Sequence, residues 1–416
     1  MSVAAEARPV AGIGAGVVPL LALAIFINYV DRGNLATAAP LMKRELDLSG
    51  AQLGLLFSAF YWTYTPAQIL AGWLAERINA YRTLALGLAI WSLATAASGL
   101  VTGFAVLIAL RLLLGLGESA AFPASSKLLA QHLPLHKLGH ANGLIAVGLA
   151  LGPAVGTFAG GMLMARWGWR PVFLVFGLAS LAWLLPWLAV TRAASARETE
   201  RAPGHVPSYV AILCRREAWG ACLGHFANNY AFYFVISWLP LYLVRVQGFS
   251  VAEMSVLGGM IYLVYAASSL ASGWASDRWM QRGASANRVR KVGIVAGLCG
   301  VALSMLGCAF GGAAISLASL FLAGLAFGPG TANIYAIGQT LAGPRAAGKW
   351  VGVQNCIGNI AGIVAPVVTG LVIDRTGEFF WAFAIAGAIT VGGIVAWAIV
   401  IPRVAPLEWS ARGAHG

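Results

Sequence analysis

Charge is what this chain has least of. Only 10% of its 416 residues are Asp, Glu, Lys or Arg, and 59% are hydrophobic. A soluble globular domain carries about 25% charged residues; with a mean hydropathy of +0.79, this chain cannot clothe a water-exposed surface. A soluble protein is excluded. Cysteine is sparse as well: Cys214, Cys222, Cys299, Cys308 and Cys356 are scattered without paired spacing, so neither a disulfide framework nor a metal site is expected. No Ser/His/Asp grouping and no phosphate-binding glycine loop is present, and no cofactor is expected. An enzyme is therefore not the expectation. The net charge of +13 is dispersed over short loops, which argues against nucleic acid as a partner.

What the chain does have is long apolar runs. About twelve occur, each near the ~20 residues that a helix needs to cross ~30 Å of hydrocarbon. They are expected at 14–40, 50–75, 83–101, 104–130, 140–163 and 170–191, then at 219–244, 252–276, 291–312, 314–341, 349–373 and 379–402. The first is too long, and lacks a convincing cleavage site, for a removed signal peptide. The expected fold is all-α: twelve transmembrane helices in two pseudo-symmetric six-helix bundles, residues 1–191 and 219–416. A charged, Pro-containing linker over 192–218 joins them. Eighteen of the 27 Lys and Arg residues fall on the linker side of the bilayer and six on the other. By the positive-inside rule, the linker and both termini are then cytoplasmic in a multi-pass inner-membrane protein.

The halves repeat one another. GWLAERINAYR (72–82) follows the second helix and GWASDRWMQR (273–282) the eighth, each placing an acid and an arginine at the inner mouth. Gly148, Gly152, Gly156 and Gly160 in the fifth helix match Gly358, Gly362, Pro366 and Gly370 in the eleventh. A duplication with parallel topology places the site between the halves near the midplane.

Four ionisable residues interrupt the apolar runs: Asp31 and Arg32 in the first helix, Arg111 and Glu118 in the fourth. A charge at the centre of a membrane helix costs roughly 2.5–3.5 kcal/mol, so such residues mark a pathway by default. Counted from the outer helix ends at 1.5 Å per residue, Arg32 and Arg111 share one layer. Two guanidinium forks suit a carboxylate gripped from two sides; the bland alternative is that each merely neutralises an acid. Glu118 lies two turns beyond Arg111 on nearly the same face. With both acids ionised the quartet is neutral, and an added monoanion leaves an uncompensated buried charge unless a proton also binds.

The chain resembles the major facilitator superfamily over essentially its whole length. The Gly-x-x-x-Asp/Glu-Arg loops and RLLLGLGES carry the resemblance. NYVDRGNLATAAP (28–40), FSAFYWTYTPAQILAGWL (57–74), RLLLGLGESAAFPA (111–124) and NNYAFYFVISWLPLYL (228–243) are similar to its anion:cation symporter family. That resemblance implies substrate contact by Arg32 and Arg111, supported by Tyr29 and Tyr64. It also implies proton coupling at Asp31 and Glu118. Asn228 and Asn355 are expected to line the site from the second half, whereas His225, near the inner end of the seventh helix, reads as structural. Glu76, Arg77, Arg82, Asp277 and Arg278 are expected to gate the inner mouth through salt bridges.

The expected function is proton-coupled import of a small organic anion, most simply a sugar acid, by a monomer working through alternating access. An aromatic or dicarboxylic acid is the nearest rival substrate, and a non-transporting sensor shares the fold. GLALGPAVG (148–156) also resembles a drug/proton antiporter signature, but small-x-x-x-small spacing in a membrane helix reads as packing.

Overall fold

The computed structural model describes residues 13–48, 50–200, 206–249 and 251–409; Arg8, Arg201 and Arg412 of the charge count lie outside them. The first half comprises α1 (Ile13–Glu45), α2 (Gly50–Leu74), α3 (Ala80–Ser98), α4 (Phe104–Glu118) continued by α5 (Ala121–His132), α6 (Leu138–Trp167), and α7 (Trp169–Leu181) continued by α8 (Leu184–Glu200). A short α9 (Tyr209–Leu213) follows in the connecting segment. Then come α10 (Arg216–Arg245), α11 (Val251–Gln281), α12 (Ala286–Phe310), α13 (Ala313–Ala342), α14 (Ala347–Asn359) continued by α15 (Ala361–Thr376), and α16 (Phe380–Val395).

The described residues thus form twelve long rods, each on one of the expected apolar runs, and nine of them are long and apolar enough to cross a membrane. The other three are α2, with six aromatic residues and two glutamines, α3, which carries Tyr81, Arg82 and Trp91, and α10, rich in aromatic and amide residues. One boundary moved. The charged stretch expected as linker is helical to Glu200, because its sequence TRAASARETE consists largely of strong helix formers.

Helix packing explains the glycines. A Cβ on Gly148 would stand 2.7 Å from the Ala22 carbonyl, and one on Gly152 would stand 2.8 Å from that of Phe26 and 2.5 Å from Tyr29 Cβ. Gly156 faces the Val30 backbone and Gly160 the Asn34 side chain. The whole row on α6 therefore lies against α1, as the packing interpretation of GLALGPAVG requires. In the second half Gly358, Gly362 and Gly370 instead face the side-chain rings of His225, Tyr233 and Trp238 of α10. Gly168 and Gly377 end these two helices at φ +78° and +74°, a left-handed conformation that only glycine adopts freely.

The halves meet most closely at the linker end, through two equivalent seams. Gly72 abuts α14, where a Cβ would stand 2.6 Å from the Gly348 carbonyl; Gly139 of α6 abuts α11, 2.8 Å from that of Gly273. Beside each contact a carboxylate of one half caps a helix of the other. Glu76 accepts from Gly348 N–H at 2.7 Å, and Asp277 from Gly139 and His140 N–H at 2.9 and 2.6 Å. A negative charge there meets the unpaired donors and positive end of the helix dipole.

This corrects the expected gate. Glu76 and Asp277 are buried and cross the seam, but Arg77, Arg82 and Arg278 are exposed at the rim, where water stabilises a guanidinium better than the apolar seam would. The cations at the seams are Lys127, 2.5 Å from Glu76 and from the Pro344 carbonyl, and Arg290, 3.2 Å from Asp277 and 2.9 Å from the Leu135 carbonyl. Lys349 donates to the Pro207 carbonyl at 2.8 Å and Tyr209 donates to the Ile69 carbonyl, so the connecting segment is strapped across the same seam. Burial pushes the Tyr209 phenol above its usual range, which keeps it a donor.

Two outcomes are expected. Gly152→Leu drives a side chain into Tyr29 and should lower the thermal midpoint by several degrees in detergent, because overpacking costs about 1–3 kcal/mol; Gly54→Leu, at a glycine with open space around it, should leave the midpoint unchanged. Glu76→Gln strips Lys127 of its counter-charge and should raise hydrogen–deuterium exchange across 344–352, while Arg77→Gln should leave exchange there as it is.

Candidate functional site

Between the halves lies a small cleft with about 30 Å³ of free space. The first half contributes Tyr29, Tyr64, Phe122 and Leu149 to its wall; the second contributes His225, Asn228, Asn229, Phe232, Tyr233, Tyr265, Thr331, Ile334, Tyr335 and Asn359. Aromatic pairs bridge the halves on both sides of it. Phe122 stacks on Tyr335 at 4.9 Å toward the linker end, and Tyr61 meets Tyr233 edge to face at 6.2 Å toward the opposite end. Below the stacked pair Gln339 reaches across to Asn142 at 2.7 Å and to Ser126 at 3.2 Å.

Directly behind Tyr29 and Tyr64 stands the charged quartet. Arg32 donates to Glu118 Oε2 through both Nη2 (3.0 Å) and Nε (3.2 Å). Its guanidinium carbon lies 4.4 Å from the ring centre of Tyr29 and 4.8 Å from those of Phe60 and Tyr64. The electron-rich faces of three rings and one carboxylate therefore replace the water that this cation loses. The arginine side chain keeps 16% exposure while Glu118 has none, so the cation is the more accessible member of the pair, although the rings of Tyr29 and Tyr64 stand between it and the cleft.

Glu118 is held there by a break in the fourth rod. Helix α4 stops at Glu118, and α5 restarts at Ala121 after a tight turn in which Ala120 N–H bonds back to the Gly117 carbonyl. The glycines of GLGES let this segment sink into its neighbours: a Cβ on Gly117 would stand 2.7 Å from Trp91 N, and one on Gly115 would stand 2.5 Å from Thr63 Oγ1. Thr63 in turn donates to the Leu112 carbonyl at 2.6 Å, pinning α2 to α4. Glu118 Oε1 and Asp31 Oδ1 are buried without a hydrogen-bond partner among the described residues. Asp31 Oδ2 accepts from Thr95 at 3.3 Å. Arg111, also buried, lies within electrostatic reach of Glu118, Asp31 and Arg32.

The structure thus brings Tyr29, Asp31, Arg32, Tyr64, Arg111 and Glu118 together, with the tyrosines in the wall and the charges in the layer behind. Asn228 lines the cleft as expected, and its Oδ1 has no partner among the described residues. Asn355 does not line it. Its Oδ1 is engaged by the Tyr335 hydroxyl at 3.1 Å, so Tyr335 covers it, and Asn359, one turn farther along, occupies the wall instead. His225, expected to be structural, is in the wall. Phe60, Phe122, Tyr265, Thr331 and Tyr335 were not singled out from the sequence; the four-residue spacing of Thr331, Tyr335 and Gln339 in an apolar helix was the signal available for the last two. Among the described residues no group of three or more His, Cys, Asp or Glu could hold a metal.

The Major Facilitator Superfamily family model matches residues 21–365 and 282–416. A probable sulfoacetate transporter of Cupriavidus necator is 29% identical, covering 92% of this chain and 93% of its own. A hexuronate transporter of Bacillus subtilis is 30% identical, covering 90% and 92%. Among solved structures, the human organic anion transporter MFSD10 superimposes with a TM-score of 0.76 at 16% identity, covering 92% of this chain and 99% of that one. A twelve-helix fold, an internal repeat with a cleft between its halves, and a family match across nearly the whole sequence agree: this chain belongs to the Major Facilitator Superfamily.

Proposed function

We propose that this protein carries a small organic anion, most simply a sugar acid, across the membrane together with a proton. The observation that supports this best is the Arg32–Glu118 pair, in which the more accessible partner is the cation. An anionic solute in the cleft that reaches Arg32 competes with Glu118 for the guanidinium. A carboxylate that loses its counter-charge while fully buried is costly, and protonation removes that cost. Anion and proton therefore bind together. Arg111 and Asp31 complete a neutral set, so one monoanion calls for one proton. Relatives named for sulfoacetate and hexuronate, both anions, support the substrate class.

The seams support alternating access. In this structure the linker end is closed by Glu76, Asp277, Lys127, Arg290 and the connecting segment, and opening it requires all of these contacts to separate. The excess of Lys and Arg on that side supports a cytoplasmic linker end and inner-membrane placement. An aromatic acid is the second reading, because Tyr29, Tyr64, Phe122, Phe232, Tyr233, Tyr265 and Tyr335 make half of the cleft wall aromatic.

In proteoliposomes, an inward proton gradient should drive accumulation of a sugar acid from a panel of hexuronates, aldonates, benzoates and dicarboxylates. Glu118→Gln should retain exchange yet lose accumulation driven by the gradient; undiminished accumulation would remove Glu118 from the coupling step. Arg32→Ala should weaken binding roughly 10- to 150-fold, the range for one hydrogen-bonded charge, as read by isothermal titration.

A further inference from the structure

Anion and proton coupling leaves His225 in the cleft wall without a role. His225 of α10 is 3% exposed, lines the cleft, and meets the Tyr335 ring edge to face at 5.5 Å. Its Nδ1 lies 3.4 Å from Nε2 of Gln354 on α14. A third residue decides which atom carries the proton. Trp350 Nε1–H, which can only donate, meets Gln354 Oε1 at 3.0 Å. The amide oxygen of Gln354 is thus committed to the indole, and its NH₂ group faces the imidazole. An amide nitrogen only donates, so Nδ1 of His225 must accept, and the ring proton resides on Nε2.

The relay has room because two glycines flank it. A Cβ on Gly358 would stand 2.9 Å from His225 Cγ and 3.0 Å from its Nδ1. One on Gly338 would stand 2.8 Å from Gln354 Oε1 and 3.1 Å from Trp350 Cδ1. Nε2, on the side of the ring away from Gln354, finds no hydrogen-bond partner among the described residues. Three residues along α10, the Oδ1 acceptor of Asn228 is likewise unpartnered.

We infer that His225 offers a fixed Nε2–H donor to the cleft, with Trp350 and Gln354 as positioning residues that set its tautomer. The second half then presents a donor and, beside it on α10, the acceptor of Asn228. That combination suits a hydroxyl group, which both gives and takes a hydrogen bond, on a solute whose carboxylate engages the first half. The inference rests on the proposed occupation of the cleft by a small organic anion.

Two measurements on the full-length protein test it. In long-range ¹H–¹⁵N spectra of histidine-labelled protein, with His225 assigned by the signal lost in His225→Gln, the wild type should show the Nε2–H tautomer. Trp350→Phe, which frees the Gln354 amide to turn, should give a mixture. A wild-type Nδ1–H tautomer or an imidazolium would overturn the inference. With D-glucuronate as the titrant, His225→Gln, whose amide nitrogen stands near the position of Nε2, should bind within about threefold of wild type, and His225→Leu about tenfold or more weaker at an unchanged thermal midpoint. Equal losses in both variants, or none in either, would overturn the contact with solute. Should the wild type bind neither D-glucuronate nor any acid of the panel, the proposed function fails, and the tautomer spectrum alone decides the donor.

Discussion

A cation cannot stay in the middle of a membrane protein unless something nearby pays its desolvation. Arg32 meets this constraint with one carboxylate and three aromatic faces, and the surrounding architecture exists to hold those four groups in place. The break after Glu118, the glycines that sink α4 onto α2 and α3, and the threonine bond from α2 to α4 all fix the acid. Tyr29 and Tyr64 separate the cation from the cleft by one layer of rings. Removing either member of a buried ion pair typically costs about 3–5 kcal/mol. The pair is therefore sensitive to any solute that changes its partners, which is the property a coupled carrier needs.

The second half handles its polar groups differently. Neither half places a charged side chain in the cleft wall, but the first sets its quartet directly behind, whereas the polar atoms of the second are arranged in relays. The Tyr233 hydroxyl donates to Asn359 at 2.8 Å, Tyr335 to Asn355, and Tyr265 shares a hydrogen with Thr331 at 2.8 Å. Charge on one side and oriented dipoles on the other make the cleft asymmetric, although the two halves derive from one repeated plan.

Much of this was legible in the sequence, for physical reasons that can be named. Apolar runs of membrane-spanning length located all twelve rods, since hydrocarbon thickness leaves little freedom in helix length. Asp31, Arg32, Arg111 and Glu118 stood out because charge is so costly in such runs, and the structure gathers them. Pairing was harder to read: Arg111 shares a helix face with Glu118, yet Arg32 holds the acid, because the break in the fourth rod turns Glu118 toward α1. At the linker end the paired motifs located Glu76 and Asp277 but not their partners, since those are backbone N–H groups that every residue possesses. The place of His225 in the cleft wall was hard to read for a related reason. Its position along a helix says little about which neighbours the helix will meet, and the small residues that admit its ring belong to helices more than a hundred residues away.

The glycine row of α6 carries one more consequence. From Gly148 to Gly156, α6 and α1 touch backbone to backbone over about two turns, which leaves little room for one to slide past the other. The first half is thereby stiffened into a single plate. A plate clamped at one rim resists bending, so a load applied at that rim is carried by the whole body.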